Sequence, residues 1–237
     1  MFVALVLVFA AVGCGGGSSG DRIAFDDYRD GGWEIFVMDA DGTDVRQLTD
    51  DDKRDTQPSW SPDGDRIVFS RTFDDDHGIF VMDADGTDVR QLTTITDIDA
   101  RDPTWSPDGD HIAFAGGWLS TGDIYVMDAD GTDVRQLTDN DHHDWMPSWS
   151  PDGDHIAFAS DRDGDWEIYV INADGTDLRQ ITDNDHGDWD PSWSPDGDHI
   201  AFTGRRGGPH MEIFVMEDDG TNTSSTGQQG FHPSFGG

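Results

Sequence analysis

The sequence predicts an all-β fold in which four-stranded sheets stack radially as the blades of a β-propeller, and three observations predict it. A segment ending Ile-Ala-Phe or Ile-Val-Phe recurs at Phe25, Phe69, Phe114, Phe158 and Phe202, at spacings of 44, 45, 44 and 44 residues. A repeat period of about 40–45 residues with four strands per unit is the mark of a propeller. Each full unit carries a Ser-Pro-Asp-Gly turn and an Asp-Gly turn, and no 11-residue window shows an apolar stripe of helical period.

The chain opens differently. Residues 2–12 are uninterruptedly apolar and lead into Gly13, Cys14 and the Gly/Ser run 15–20. Eleven residues fall short of the roughly 20 needed to span a bilayer as a helix, and match the apolar region of a signal peptide. Ala11-Val12-Gly13-Cys14 resembles a bacterial lipobox, which makes Cys14, the single cysteine, a candidate lipidation site. The reading is therefore a signal peptide over 1–14, a flexible tether over 15–20 and a propeller over 21–237. It implies export to the periplasm or cell surface, with membrane attachment only through a lipid on Cys14.

The fourth repeat shows the unit best. Pro147-Ser148-Trp149-Ser150 reads as a first strand and turns through Pro151-Asp152-Gly153, where proline presets φ and glycine accepts the positive φ that closes the turn. A second strand runs over 155–159. Glu167 to Ile171, β-branched and aromatic, makes a third. Asp174-Gly175 is a hairpin turn, and Leu178 to Thr182 alternates as a fourth strand. Such a sheet cannot cover both its faces alone, but stacked blades cover one another. Trp60, Trp105, Trp149 and Trp193 with the five Phe are the expected filling.

The first repeat enters at Asp21-Arg22-Ile23 and lacks its opening strand, while Phe231-His232-Pro233-Ser234-Phe235 supplies the matching pattern at the other end. The expectation is five blades, closed by one C-terminal strand that hides the open sheet edge. Six blades are the alternative. Residues 221–230 are polar where Val-Arg-Gln-Leu-Thr stands elsewhere, so the outermost strand of the fifth blade is expected to be missing or frayed.

Fifty acidic residues against 14 basic ones give a formal charge of −36, and all but four of the acids are Asp. This balance argues against nucleic acid and anionic membranes as partners. It fits a solvated surface suited to high salt, or Ca2+ or another divalent cation held at some Asp clusters.

Trp-Ser-Pro-Asp-Gly, an Ile-Ala-Phe strand, Ile-Tyr-Val-Met, an Asp-Gly turn and Arg-Gln-Leu-Thr together resemble the TolB-type propeller repeat, over residues 21–235. Similar repeats build the propellers of prolyl-oligopeptidase-type enzymes and of oligogalacturonate lyase. The resemblance implies a propeller, and TolB's own role in the cell envelope is not carried over with it. Fold alone does not choose the function.

Compared with one another, the repeats are nearly uniform in the Pro-Asp-Gly and Asp-Gly turns and diverge in the opposite loops, which is where specific binding is expected on a rigid scaffold. That face carries the segments 50–55, 97–102, 139–145 and 183–190, and with them Asp55, Asp102, His142, His143, Asp144, Trp145, His186, Asp188, Trp189 and Asp190 as candidate contact residues. Asp141, His142 and Asp144, and likewise Asp185, His186 and Asp188, combine imidazole and carboxylate as metal sites do. A solvated acidic rim is the competing reading. The 161–167 segment has alternate acids but the wrong glycine position for an EF-hand loop, and reads as a hairpin. The repeats hold no Gly-x-Ser-x-Gly elbow and no phosphate loop. The expected function is a non-catalytic extracytoplasmic scaffold for an envelope protein, peptide or glycan. A metal-dependent, lyase-like enzyme acting on polysaccharide is the alternative.

Overall fold

A computed structural model describes residues 22–29, 31–73, 76–94, 98–117, 121–206 and 210–235. The apolar leader, Cys14, the tether and Asp97 lie outside the described residues.

The described chain is five antiparallel sheets in sequence order, with no helix. The first has three strands, β1 (Arg22–Arg29), β2 (Gly32–Asp39) and β3 (Arg46–Gln47). The second is β4 (Arg54–Trp60), β5 (Arg66–Phe73), β6 (Asp76–Asp83) and β7 (Arg90–Gln91). The third is β8 (Ala100–Trp105), β9 (His111–Gly116), β10 (Asp123–Asp128) and β11 (Arg135–Gln136). The fourth is β12 (Asp144–Trp149), β13 (His155–Ser160), β14 (Glu167–Asn172) and β15 (Arg179–Gln180). The fifth is β16 (Asp188–Trp193), β17 (His199–Gly204), β18 (Glu212–Glu217) and β19 (Ser224–Gln229). The strand order in each sheet is the chain order. This is the expected five-bladed propeller.

The turns are built by the residues that repeat. In the first Pro-Asp-Gly turn, Ser61 Oγ donates to Asp63 at 2.6 Å and accepts from the Arg66 amide at 2.9 Å. The same arrangement recurs at Ser106, Ser150 and Ser194. In the Asp-Gly turns, the first carboxylate accepts from the Thr amide two residues on, as Asp41 does from Thr43. Gly220 shows why glycine is needed there: φ is +85°, and a Cβ would lie 2.3 Å from the carbonyl oxygen of Ile181. Hydrogen bonds from the serine and threonine partners hold Asp41, Asp63, Asp85, Asp108, Asp130, Asp152, Asp174, Asp196 and Asp219 below the usual carboxylate range. These repeated carboxylates belong to the turns. The 161–167 segment is a hairpin closed by Gly164 N–H to Asp161 C=O at 3.1 Å.

Apolar layers fill the spaces between successive blades. Each blade offers a small, β-branched face to the next, such as Ala24, Ile35 and Val37, and receives Trp60, Ile67, Phe69, Phe80 and Met82 against it. The pattern repeats at the next three junctions. Phe69, Phe114, Phe158 and Phe202 are fully buried. The threonine of each Gln-Leu-Thr or Gln-Ile-Thr segment also works inside: Thr49, Thr93, Thr138 and Thr182 accept the amides of Ile35, Ile79, Ile124 and Ile168 through their hydroxyls.

Two expectations need correction. The outermost strand of the fifth blade is present as β19, six residues long against two in every other outer strand; a shift in its register with β18 lets the polar sequence pair. The C-terminal segment does not become the fourth strand of the first sheet, whose β1 pairs only with β2. It does reach the fifth inner position of the ring, because His232 has the left-handed backbone of Gln57, Asp102, Met146 and Asp190, with φ between 50° and 59° in all five.

Candidate functional site: the loop face and the central channel

Each inner strand enters from the loop face, bulges in its middle and then pairs on. The register of β4, β8, β12 and β16 shifts at this bulge, which holds the residue before the repeated proline. Left-handed backbone is uncommon outside glycine, and five such residues here, Gln57, Asp102, Met146, Asp190 and His232, line one channel. Strained backbone clusters at functional sites when the surrounding structure enforces it. The channel is a cavity of about 250 Å³ walled by the five Xaa-Pro-Ser/Thr segments, from Gln57-Pro58-Ser59 round to His232-Pro233-Ser234.

Side chains in the channel reach sideways round the ring. Asp26, on β1, accepts the Gln57 amide at 3.0 Å, and Gln57 Oε1 accepts the Asp102 amide at 3.4 Å. The Asp102 carboxylate in turn accepts the Met146 amide. His232 Nδ1 stands 2.9 Å from Asp190 Oδ1. Burial pushes Asp102 up to about 6, and the charge of Asp190 adds to the effect. Burial raises Asp26 as well, partly offset by the Gln57 amide. For His232, burial opposes the charged form, but the pairing with Asp190 and the fields of Asp102 and Asp26 outweigh it and raise the imidazole. The throat is thus acidic, with the Asp102 carboxyl raised toward neutral pH.

Asp55, Asp144 and Asp188 do something else. Their side chains are completely buried, each against one arginine of its own blade: Arg71, Arg162 and Arg206, at 2.6–2.8 Å. Asn140 and Asn184 add hydrogen bonds to Asp144 and Asp188 at 2.8 and 3.0 Å. From the preceding blade come Glu34, Asp123 and Glu167, the acids at or near the start of β2, β10 and β14. Burial raises all three, and the nearby Asp188 raises Glu167 further. Each cluster therefore ties one blade to the next. The junction between the second and third blades lacks one, since Gly78 stands at the Glu position and Ala100 at the Asp position. Ala100 packs in the apolar layer instead.

This placement corrects the expected contact and metal sets. Asp55, Asp144 and Asp188 are inside and engaged by guanidinium, so they are not open to a ligand. Asp141, His142, Asp185 and His186 are exposed on the loops, where His142 stands 3.7 Å from Asp161. Among the described residues no three His, Cys, Asp or Glu side chains gather as a metal ion needs. The donor set does not fit a cation at either predicted triplet.

The aromatic part of the expected face does come together. His143, Trp145 and Trp166 pack as one cluster, with ring centroids 5.0–6.2 Å apart. Trp166 sits on the β13–β14 hairpin and was not anticipated, although its place beside a turn on the diverging side was readable. Gly122 makes room for the cluster, since a Cβ there would lie 2.4 Å from Trp145 Nε1. Trp189 lies half-buried against the layer between the fourth and fifth blades. Of the predicted contact residues, Asp102 and Asp190 line the channel with Gln57, Met146 and His232, and Asp26 joins them through the Gln57 amide.

A family model described as the TolB beta propeller domain matches residues 17–144 and 99–236. No curated protein matches the chain in sequence. Among solved structures, a protein of Agrobacterium tumefaciens described as TolB superposes with a TM-score of 0.77 at 24% identity, covering 93% of this chain and 80% of its own. TolB from Acinetobacter baumannii gives 0.75 at 23% identity, covering 90% of this chain, which spans only 54% of that protein. An oligogalacturonate lyase in complex with manganese gives 0.65 at 16% identity, covering 86% and 61%. At these identities the structural likeness is one of fold.

Proposed function

The chain belongs to the TolB β-propeller family, and from that premise we propose that it is a non-catalytic, exported binding scaffold that recognises a protein, peptide or glycan on its loop face. The observation that carries this reading is the contrast between the two faces. One is a set of near-identical turns whose polar groups satisfy themselves. The other diverges from blade to blade and presents His143, Trp145 and Trp166 in one cluster. Aromatic anchors grouped on a rigid frame are what binding hot spots are made of, and the acidic channel favours a partner with a basic group over an anionic one. Export and attachment through Cys14 are part of the same reading, supported by the apolar run and the lipobox-like 11–14 segment.

The test is affinity capture from envelope extracts with the folded chain as bait. A Trp145→Ala, Trp166→Ala double variant of unchanged circular dichroism loses the captured partner. Equal recovery by the variant and the parent chain overturns the placement.

A further inference from the structure

Four junctions between blades are filled alike, and they define what the fifth lacks. In the filled junctions the isoleucine and valine of the third strand are completely covered, as Ile79, Val81, Ile168 and Val170 are. The matching Ile213 and Val215 of β18, which face the first blade, are only half-buried. Across from them Ile23 and Met38 are half-buried too, although Ile67 and Met82 at the same places are covered. The aromatic position repeats the contrast. Trp60 lies under Arg22 of the preceding blade at 4.8 Å, Trp105 under Arg66 at 4.7 Å and Trp193 beside His155 at 6.4 Å. At the fifth junction the equivalent platform, His199, is exposed. The inner edge of β1 has no ladder partner among the described residues, and an open edge is a template for one more strand.

We propose that the seam between the fifth and first blades is a docking groove for an extended segment of a partner protein, which adds as the innermost, fourth strand of the first sheet. The four occupied copies specify its chemistry. Ser148 and Trp149 stand opposite Ala157 and Ile156, so a Pro-Ser-Trp segment would set its serine opposite Ala24 and its tryptophan opposite Ile23, over His199. Charge gives one further position. Elsewhere the buried acid of the third strand faces an arginine, as Glu34 faces Arg71. In the first blade Arg29 stands where Arg162 and Arg206 stand, four residues past the repeated phenylalanine, and lies over Phe36 as they lie over Tyr169 and Phe214, so the inner-strand position held by Asp55, Asp144 and Asp188, three before the proline, favours an aspartate. The occupant reads Asp-x-x-Pro-Ser-Trp. The groove is continuous with the junction already made at the channel end, where His232 meets Asp190. The chain's own tail is the weak occupant that yields, because its aromatic residue there is a phenylalanine and Gly230 stands at the aspartate position. Strand addition of this kind takes affinity from the main chain and specificity from alternate side chains.

The probe is a synthetic peptide with the sequence of residues 144–153 of this chain, titrated calorimetrically into the full chain. One peptide binds per chain. The peptide's Trp149→Ala version binds at least about tenfold more weakly, and its Asp144→Arg version is also weaker. In the protein, His232→Ala loosens the tail and tightens binding, while Ile213→Arg abolishes it with the fold intact by circular dichroism. No saturable binding to either the parent chain or the His232→Ala variant overturns the proposal, as does indifference to the peptide's tryptophan. Pairing of two chains through the seam, seen by light scattering and lost in Ile213→Arg, overturns it in favour of self-association. Loss of peptide binding in the Trp145→Ala, Trp166→Ala variant overturns it too, placing the peptide on the loop face and leaving the scaffold reading standing.

Discussion

Replacing Asp102 by Asn should stabilise the propeller at pH 8 and make almost no difference at pH 3.5. Asp102 titrates at about 6 in the folded chain against 3.8 for a free carboxyl, a rise of about two units at about 1.4 kcal/mol each. A raised carboxyl contributes stability that is whole below pH 3.8 and drains away as the pH climbs through about 6. By pH 8 the ionised group costs the fold up to about 3 kcal/mol, and the partial exposure of Asp102 lowers this to roughly 1–2. Asn removes the charge, can still accept the Met146 amide, and tolerates the φ of 52° that position 102 requires. Against this, His232 loses one of its three carboxylate neighbours, which trims the gain without reversing it. Urea unfolding followed by tryptophan fluorescence, at fixed ionic strength from pH 3.5 to 8.5, reads the difference directly. The gap between variant and parent should open from near zero at pH 3.5, through about half its full size at pH 5, to about 1–2 kcal/mol at pH 8. A constant offset across that range, or a variant weaker than the parent at pH 8, refutes the account of the channel.

Other outcomes follow from the same geometry. Arg206→Met leaves Asp188 and Glu167 buried without their cation and should cost about 3–5 kcal/mol; adding Asp188→Ala and Glu167→Gly, the residues of the cluster-free junction, should recover most of it in urea titrations. Thr138→Val removes the hydroxyl that accepts the Ile124 amide and should lower stability by about 1–3 kcal/mol. Raising NaCl should raise the melting temperature steeply, because a formal charge of −36 repels itself less when screened; a flat response would remove charge repulsion as a major term.

The blade count, the turns and the interblade filling were legible because they recur: a period of 44 residues, Pro-Asp-Gly and a Trp/Phe pair need only one-dimensional pattern. The channel was less so. Its five left-handed residues share a place before proline but no residue type, running Gln, Asp, Met, Asp and His, and their common feature is a backbone bulge that composition does not announce. Asp26 was hidden further, since it replaces Ser70, Ala115, Ala159 and Thr203 in a column that looks structural. Asp55, Asp144 and Asp188 were misread for the opposite reason. They sit in loops full of exposed acids, and only the third dimension brings Arg71, Arg162 and Arg206 across to bury them. A clue existed in the repeats themselves, where the Asp and the Glu are lost together at Ala100 and Gly78.

That joint loss explains how a chain of near-identical units can vary where it binds. A buried carboxylate pair with one arginine is tolerated only whole, since removing any one member strands a charge in the interior. Between the second and third blades both acids are discarded together, and the loops just outside the clusters are free to change while the blade beneath stays fixed. The turns at the other end have no such freedom: Ser61 and Asp63 satisfy each other within one turn, and Gly220 meets a backbone oxygen of the neighbouring blade. Divergence is driven to one face by packing alone. The loop face then carries two things that the repeat cannot supply by itself: the aromatic cluster built from His143, Trp145 and Trp166, and the ring of Asp26, Asp102, Asp190 and His232, which the tail completes.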